Sequence, residues 1–282
     1  MITLKNKSLT VEISELGAEL KSVRCDGMDY LWNGDPAFWN GTAPMLFPIC
    51  GSLKEDRYTY EGKEYCLKKH GFARNTVFAV ESVDDDRVVF LHTSDENTKQ
   101  CYPFDYELRV FFTLRDRAIE VGYEIKNKSV GTMYFNIGSH EAYATPEGIE
   151  EYDVIFSECE TLEACGLCGP LLTDERFPVL KESHYLPLYE RYFDMDTLVF
   201  KDMKSHTATL RNRKNGRAIR VDFPDADHLL IWHKQGAPFI CLEPWNGLPD
   251  PASGSPSLCE KPSIKTIEKD GVYRATHMLT LL

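Results

Sequence analysis

The chain of 282 residues has no long hydrophobic run and no excess of basic residues. No window approaches the roughly 18 consecutive apolar residues that a membrane-spanning helix needs, and residues 1–10 contain no apolar stretch of the kind found in secretion signals. We therefore expect a soluble, cytoplasmic protein without a membrane partner. Its 32 lysines and arginines are outnumbered by 44 aspartates and glutamates, for a net charge of −12. Because nucleic-acid affinity depends on basic residues that displace counterions, this balance argues against a nucleic-acid partner.

Disulfide, metal and cofactor motifs are also missing. The nine cysteines are odd in number and irregularly spaced, which predicts reduced thiols. Only Cys165 and Cys168 have CxxC spacing, and without a second pair we interpret them as two loop thiols. The sequence has no HExxH, GxGxxG, Walker or Gly-x-Ser-x-Gly motif, so it predicts neither a metal site nor a cofactor.

Helical periodicity is scarce, whereas short runs rich in Val, Ile, Tyr, Phe and Thr recur along the chain. This pattern predicts an all-β fold. Hairpin turns are indicated at residues 115–117, between two alternating runs, and at residues 215–216, where Asn-Gly suits a type I′ turn. Short helices are expected at residues 95–100 and in part of residues 171–182. With no linker or repeat, the chain favours one large sandwich domain over residues 1–282.

Four segments place polar side chains beside Gly, Pro or aromatic residues at the ends of apolar runs. They are residues 44–51, 69–74, 136–141 and 241–247. Binding residues concentrate in loops on a rigid scaffold, so these segments are candidates for a functional site.

Glu243 and His140 are the candidate proton-transfer residues. Glu243 follows the apolar residues 239–242 and precedes Pro244, which we expect to end the strand there. A carboxylate held in a cleft beside Trp245 can act as a general base, although a solvent-exposed strand-end Glu has the same pattern. His140 closes another apolar run, and histidine exchanges protons near neutrality. A structural His bonded to a loop carbonyl is the alternative.

Other side chains fit a ligand rich in hydroxyls. His70 and Arg74 lie four residues apart, so that a turn can aim both at one pocket as donors to hydroxyl or phosphate oxygens. Trp32, Trp39 and Trp245 are each followed by Asn-Gly. Flat aromatic faces beside polar groups match the C–H faces and hydroxyls of a sugar, although loop anchoring by Trp is also common. We expect Trp245 in particular to contact the sugar.

Taken together, these segments resemble the aldose 1-epimerase (galactose mutarotase-like) family, most closely its LacX-like branch. The resemblance extends over nearly the whole chain and is carried by six pieces in the same order. They are residues 46–51, 70–74, 102–104, 137–140, 196–200 and 237–247. Any one piece is weak, and the six in order are specific.

The resemblance implies a β-supersandwich of large antiparallel sheets with the site in a cleft across its concave sheet. It implies that His140 corresponds to the family's general acid and Glu243 to its general base. It further implies that His70, Arg74 and Asp196 hold sugar hydroxyls or orient the ring.

Two positions depart from the family pattern. Ser52 stands where the family often has Arg or Lys after Phe-Pro-x-x-Gly, which weakens the sugar-phosphate branch because phosphate recognition relies on fixed cations. Glu141 stands where the family often has Pro after the catalytic His. Beside His140, it either raises the pKa of the imidazole or points to solvent. His277 lies in a strand pattern without a partner and carries no functional prediction.

We therefore expect a cofactor-independent isomerase that interconverts the α and β anomers of a free hexose. Glu243 would take the proton of the anomeric O1 while protonated His140 gives one to the ring oxygen. The acid limb of the pH profile would then belong to Glu243 and the alkaline limb to His140.

Three other functions stay open. A sugar-binding protein would keep the cleft without the chemistry. A glycoside hydrolase would pair Glu243 with Asp196 or Glu141 across the scissile bond. A hexose 6-phosphate mutarotase would receive the phosphate on Lys68, Lys69 and Arg74. Neither the preferred aldose nor the oligomeric state follows from the sequence.

Overall fold

The computed structural model describes residues 1–282, which form twenty-three β-strands, one α-helix and five 3-10 helices. The strands are β1 (Ile2–Lys5), β2 (Leu9–Ser14), β3 (Glu19–Cys25), β4 (Met28–Asp29), β5 (Met45–Leu46), β6 (Arg57–Tyr60), β7 (Lys63–Cys66), β8 (Ala79–Val83), β9 (Arg87–Thr93), β10 (Tyr106–Arg115), β11 (Ala118–Asn127), β12 (Met133–Phe135), β13 (Ile137–Ser139), β14 (Glu141–Ala144), β15 (Tyr152–Cys168), β16 (Leu171–Pro187), β17 (Thr197–Phe200), β18 (Thr207–Asn212), β19 (Ala218–Asp222), β20 (His228–Trp232), β21 (Phe239–Asn246), β22 (Lys265–Ile267) and β23 (Val272–Leu281). The helices are α1 (Glu96–Cys101) and the 3-10 turns Lys54–Asp56, Ala73–Asn75, Ile149–Glu151, Glu190–Phe193 and Leu258–Glu260. The longest helix has six residues, too short to span a membrane.

Two large antiparallel sheets dominate the fold, as the strand-rich sequence predicts. The first has nine strands in the order β16-β15-β18-β19-β23-β11-β10-β9-β8. The second has six, in the order β17-β20-β21-β13-β5 with β14 also paired to β21. A four-stranded sheet, β1 to β4, and two small ladders complete the structure. The all-β sandwich is thereby confirmed, and the one-domain organisation stays a prediction.

The six-stranded sheet buries one face in the main core and offers the other to the candidate site. Successive side chains of a strand point to opposite faces. On β20, Leu229 and Ile231 belong to the main cluster of 62 buried residues, whereas Leu230 and Trp232 lie on the other face. Any site on that outer face is therefore positioned by a backbone whose reverse side is packed.

β21 runs through Pro244, which corrects the expectation that the strand ends at that residue. Its ladder continues to Asn246, and Pro244 itself pairs with Leu229 of β20. On its other side, β21 pairs with β14 up to Leu242 and with β13 from Trp245 onward. Glu243 and Pro244 thus lie opposite a break between two short strands. The missing N–H of proline is tolerated at such an interruption.

The hairpin of β15 and β16 replaces the helix that was expected within residues 171–182. Both strands have 17 residues, and four register shifts interrupt their pairing. Such bulges bend and twist a strand pair. The hairpin forms one edge of the nine-stranded sheet, and Leu172 near its tip belongs to the same buried cluster as Leu230 of the six-stranded sheet. The CxxC pair ends β15 and does not lie in a loop: Cys165 is buried and Cys168 is exposed.

A short helix and two hairpin turns lie near their predicted positions. α1 begins after Asp95, whose side chain accepts a hydrogen bond from Thr98 N in a capping box. Residues 115–118 close the β10–β11 hairpin, with Asp116 at φ 52°. Gly216 lies in the connection between β18 and β19 at φ 77°, a conformation open to glycine. Asn215 does not have a positive φ, so the turn is not the type I′ turn that Asn-Gly predicted. All nine cysteines are free.

Candidate active site

A cavity of about 270 Å³ lies on the outer face of the six-stranded sheet. It is lined by all six residues that the sequence selects: His70, Arg74, His140, Asp196, Glu243 and Trp245. A cavity that holds a single water needs only about 10–15 Å³, so this space is many times larger. That suits a small polar ligand.

The strands bring the acid and base candidates together. Ile240 and Leu242 belong to the main core, so the alternation of β21 places Glu243 on the cavity side. His140 occupies the break between β13 and β14, directly across from it. His140 Nε2 lies 3.4 Å from Glu243 Oε2. Both groups can therefore reach one small molecule.

Burial sets the protonation of this pair. Burial chiefly, with a smaller contribution from the charge of Lys69, lowers the pKa of His140 from 6.5 to about 3. Burial also raises the pKa of Glu243 well above its ordinary value of 4.5. Neither Glu243 Oε2 nor His140 Nδ1 has a hydrogen-bond partner within the protein. Without a hydrogen bond or an opposite charge to compensate, burying the charged form of either group costs free energy.

Burial therefore favours a protonated carboxyl and a neutral imidazole in the free site, whereas the sequence predicted a carboxylate and an imidazolium. The two forms contain the same single proton. They are related by its transfer between Glu243 and His140. Because the two groups are coupled, each observed titration step belongs to the pair.

This protonation state predicts the acid side of the pH profile. The ratio kcat/KM reports the free enzyme. It should not fall as the pH is lowered from about 7 to about 5, since His140 gains its second proton only near its lowered pKa of about 3. ¹⁵N NMR of the imidazole at about pH 5 should show the neutral ring. An imidazolium signal from His140 at that pH would contradict the assignment.

His70 is positioned by a turn that only glycine permits. Gly71 has φ +69°, and a Cβ there would lie 2.2 Å from the carbonyl oxygen of Phe47. His70 Nδ1 accepts a hydrogen bond from Gly51 N at 3.1 Å. Burial lowers the pKa of His70 well below 6.5, so the ring is neutral and its proton resides on Nε2. His70 therefore offers the cavity an N–H donor.

Two cations at the cavity have no carboxylate partner. Arg74 is partly buried and donates to the backbone oxygen of Lys69 at 3.1 Å. Lys69 is exposed and lines the same cavity. Lys68, which the phosphate alternative also used, is bound to Asp56 at 2.7 Å and does not line the cavity. The available positive charge comes from Lys69 and Arg74 alone.

Two further tryptophans enclose His140: Trp39, which the sequence grouped with the sugar-stacking candidates, and Trp232, which it did not select. Trp39 stacks on its ring with centroids 5.0 Å apart, and Trp232 meets it edge-on at 5.5 Å. Trp232 Nε1 donates to Asp196 Oδ1 at 2.9 Å, which anchors that carboxylate at the cavity rim. The alternation in β20 could have indicated Trp232, because it places Trp232 on the same face as Leu230.

Trp245 is held by Ser139, the last residue of β13, which directly precedes His140. Its Nε1 donates to the Ser139 backbone oxygen at 3.0 Å. The Trp245 ring also meets His70 edge-on with centroids 5.5 Å apart. Trp245 therefore offers a ligand its aromatic surface, because its one donor is already used.

Glu141 faces away from the cavity, which corrects both expectations for it. The residue is 2% exposed, and Oε1 lies 2.8 Å from His277 Nε2. His277 belongs to β23 of the nine-stranded sheet, so the pair joins the two sheets across the core. It also gives His277 the partner that its strand pattern concealed. Because it is turned into the core, Glu141 cannot flank a glycosidic bond in this cavity.

Three side chains form a potential ligand set that the sequence did not reveal. One ligand atom each from His140, Cys241 and Glu243 lies within 4.8 Å of the others. Cys241 and Glu243 are separated by one residue on β21. A Cys-x-Glu spacing within an apolar strand was the only available signal, because His140 comes from a distant segment.

Comparison with known proteins supports the same family. The model of the family described as aldose 1-epimerase matches residues 1–253. The plasmid-encoded protein LacX of Lactococcus lactis is 35% identical over 299 aligned positions, which cover 100% of this chain and 99% of that protein.

Two solved structures of galactose mutarotase-like proteins have the same fold as this chain. A galactose mutarotase related enzyme from Lactobacillus acidophilus superposes with TM-score 0.95 at 31% identity, covering 100% of this chain and 97% of that one. A galactose mutarotase-like protein from Lactobacillus casei gives 0.94 at 30% identity, with 100% of both chains covered.

Proposed function

Because the chain belongs to the aldose 1-epimerase family, we propose that it is an isomerase that interconverts the α and β anomers of an aldose in this cavity. The observation that carries the proposal is the 3.4 Å approach of His140 Nε2 to Glu243 Oε2. Anomer exchange requires one proton to leave O1 and another to reach the ring oxygen. Two convergent proton-transfer groups supply both.

The two forms of the singly protonated pair are the states of the enzyme before and after ring opening. In the ionised form, Glu243 takes the proton from O1 and His140 gives its proton to O5, while C1–O5 breaks and C1=O1 forms. This step leaves a protonated Glu243 and a neutral His140, the form that burial favours in the free site. Rotation about C1–C2 and the reverse transfers close the ring as the other anomer.

The balance of protons makes the step self-contained. No proton has to be exchanged with solvent between opening and closure. Each positioned transfer is typically worth about 10² to 10⁴ in rate. His70, Arg74 and Asp196 would hold the sugar hydroxyls, and the aromatic faces of Trp39 and Trp245 would border its C–H surfaces.

The proposal is tested by polarimetry of freshly dissolved α-glucose and α-galactose. Protein should speed the approach to the equilibrium rotation in proportion to its concentration, above a boiled-protein blank. Tight binding of an aldose by calorimetry with no faster rotation would instead identify a sugar-binding protein.

A phosphorylated aldose is the second candidate substrate, because Lys69 and Arg74 line the cavity without carboxylate partners. Charge-assisted hydrogen bonds to phosphate are about twice as strong as neutral ones. If this candidate is correct, Lys69→Met should raise KM for glucose 6-phosphate at least about tenfold and leave KM for glucose within about threefold. Lys68→Met is the matched control, since Lys68 is bound to Asp56 outside the cavity. Equal changes for both sugars would rule out phosphate recognition by Lys69.

A further inference from the structure

Cys241 adjoins the proton-transfer pair and has no part in the proposed reaction. Its side chain is fully buried, and it does not line the cavity. It shares the cavity-side face of β21 with Glu243 because the two residues are separated by one position. Its sulfur lies within 4.8 Å of ligand atoms from both His140 and Glu243.

Thiolate, imidazole and carboxylate are the protein ligands that zinc uses. Zinc bonds of about 2.0–2.3 Å place the ligand atoms of a tetrahedral site roughly 3.5 Å apart. The 3.4 Å between His140 Nε2 and Glu243 Oε2 already matches that separation. A shift of roughly 1 Å by the Cys241 sulfur would complete three corners of a tetrahedron.

The charges of this set also suit a dication. One thiolate and one carboxylate neutralise Zn²⁺, and the imidazole binds as a neutral ligand. Glu243 Oε2 is buried without a hydrogen-bond partner, and a metal ion would satisfy it. Lys69 and Arg74 repel a cation, but the Cys241 thiolate, the Glu243 carboxylate and Asp196 together supply three negative groups against these two positive ones.

We propose that His140, Cys241 and Glu243 bind one Zn²⁺ ion, with the fourth position open to the cavity, and that the bound ion stops anomer exchange. Binding releases the Cys241 thiol proton and any proton on Glu243, and occupies the nitrogen and oxygen that the proton transfers use. Zinc is therefore an inhibitor that competes with the sugar. The binding half stands without the proposed function, and the inhibition half rests on it.

Calorimetric titration of chelator-treated protein with ZnCl₂ tests the binding half. The wild type should bind one ion per chain, and Cys241→Ala should weaken binding at least about tenfold, the loss expected for one thiolate ligand. Co²⁺ in place of Zn²⁺ should give a thiolate-to-cobalt absorption band that Cys241→Ala lacks. Cys168→Ala is the matched control, because Cys168 belongs to the rival CxxC pair and is exposed; its binding should equal that of the wild type.

Anomer exchange tests the inhibition half. Zn²⁺ should slow the wild type, EDTA should restore it, and Cys241→Ala should exchange anomers at the wild-type rate while needing at least about tenfold more Zn²⁺ for the same inhibition. Binding that is absent, that survives Cys241→Ala or that is lost in Cys168→Ala would overturn the site. A wild type that binds zinc through Cys241 but does not exchange anomers would leave the site standing and refute the proposed function.

Discussion

Glu243→Gln should lower kcat/KM for anomer exchange by at least about a hundredfold, the loss expected for one positioned proton transfer. The amide preserves the shape of the buried side chain, but it cannot take the O1 proton or return it. No other carboxylate adjoins His140 at a comparable distance: Asp196 is bound to Trp232, and Glu141 faces the core. The rate is measured by saturation transfer between the anomeric proton signals, corrected for spontaneous exchange.

Glu141→Gln is the matched control for that variant. It makes the same chemical change one strand away, at a carboxyl bound to His277 inside the sandwich. The amide oxygen introduced there can still accept a hydrogen bond from the imidazole, so the fold should persist and kcat/KM should fall less than about tenfold. Exchange near the wild-type rate in Glu243→Gln, or an equal loss in both variants, would contradict the role of Glu243.

Lys261→Met should lower the free energy of unfolding by about 3–5 kcal/mol, the cost of leaving one member of a buried ion pair alone. Lys261 Nζ lies 2.5 Å from Asp250 Oδ2, with side-chain exposures of 5% and 4%. The same Asp250 accepts from Lys54 N, and its backbone is hydrogen-bonded to Ser52 and Leu172. The pair therefore fixes the hairpin tip to the loop behind the site.

Urea denaturation followed by tryptophan fluorescence measures this effect. Lys68→Met removes an exposed ion pair with Asp56 and should change stability very little, since water already solvates both groups. Adding Asp250→Asn to Lys261→Met should recover a large part of the loss, because the buried charge is then gone. A loss below about 1 kcal/mol in Lys261→Met would mean that Asp250 is not held as an unpaired buried charge.

The sequence predicted the strands well where one face of a strand is buried. β2 and β10 alternate buried residues with more exposed ones, the pattern that predicts a strand with one buried face. Residues 171–182 were misassigned because their structure depends on pairing with β15, a long-range contact with no local signal. The end of β21 was mispredicted at Pro244 for a similar reason. The break in pairing that accommodates this proline lies between β13 and β14, a distant part of the sequence.

The sequence identified the residues of the site but did not predict their protonation or the directions of their side chains. His140 and Glu243 stand out in the sequence, and the structure brings them within 3.4 Å of each other. Their protonation could not be predicted, because it depends on burial that only the packed sheet creates. The sequence also could not predict that the Glu141 side chain points away from the cavity toward His277, because that contact joins two distant segments.

Anomer exchange in a double-mutant cycle tests most directly whether His140 and Glu243 act on one ring-opening step. The four proteins are the wild type, His140→Asn, Glu243→Gln and the double variant. If the two groups act as a unit, each single variant loses at least about a hundredfold, and the double variant is no slower than the slower single variant. Losses that multiply in the double variant, or either single variant near the wild-type rate, would contradict the shared proton pair.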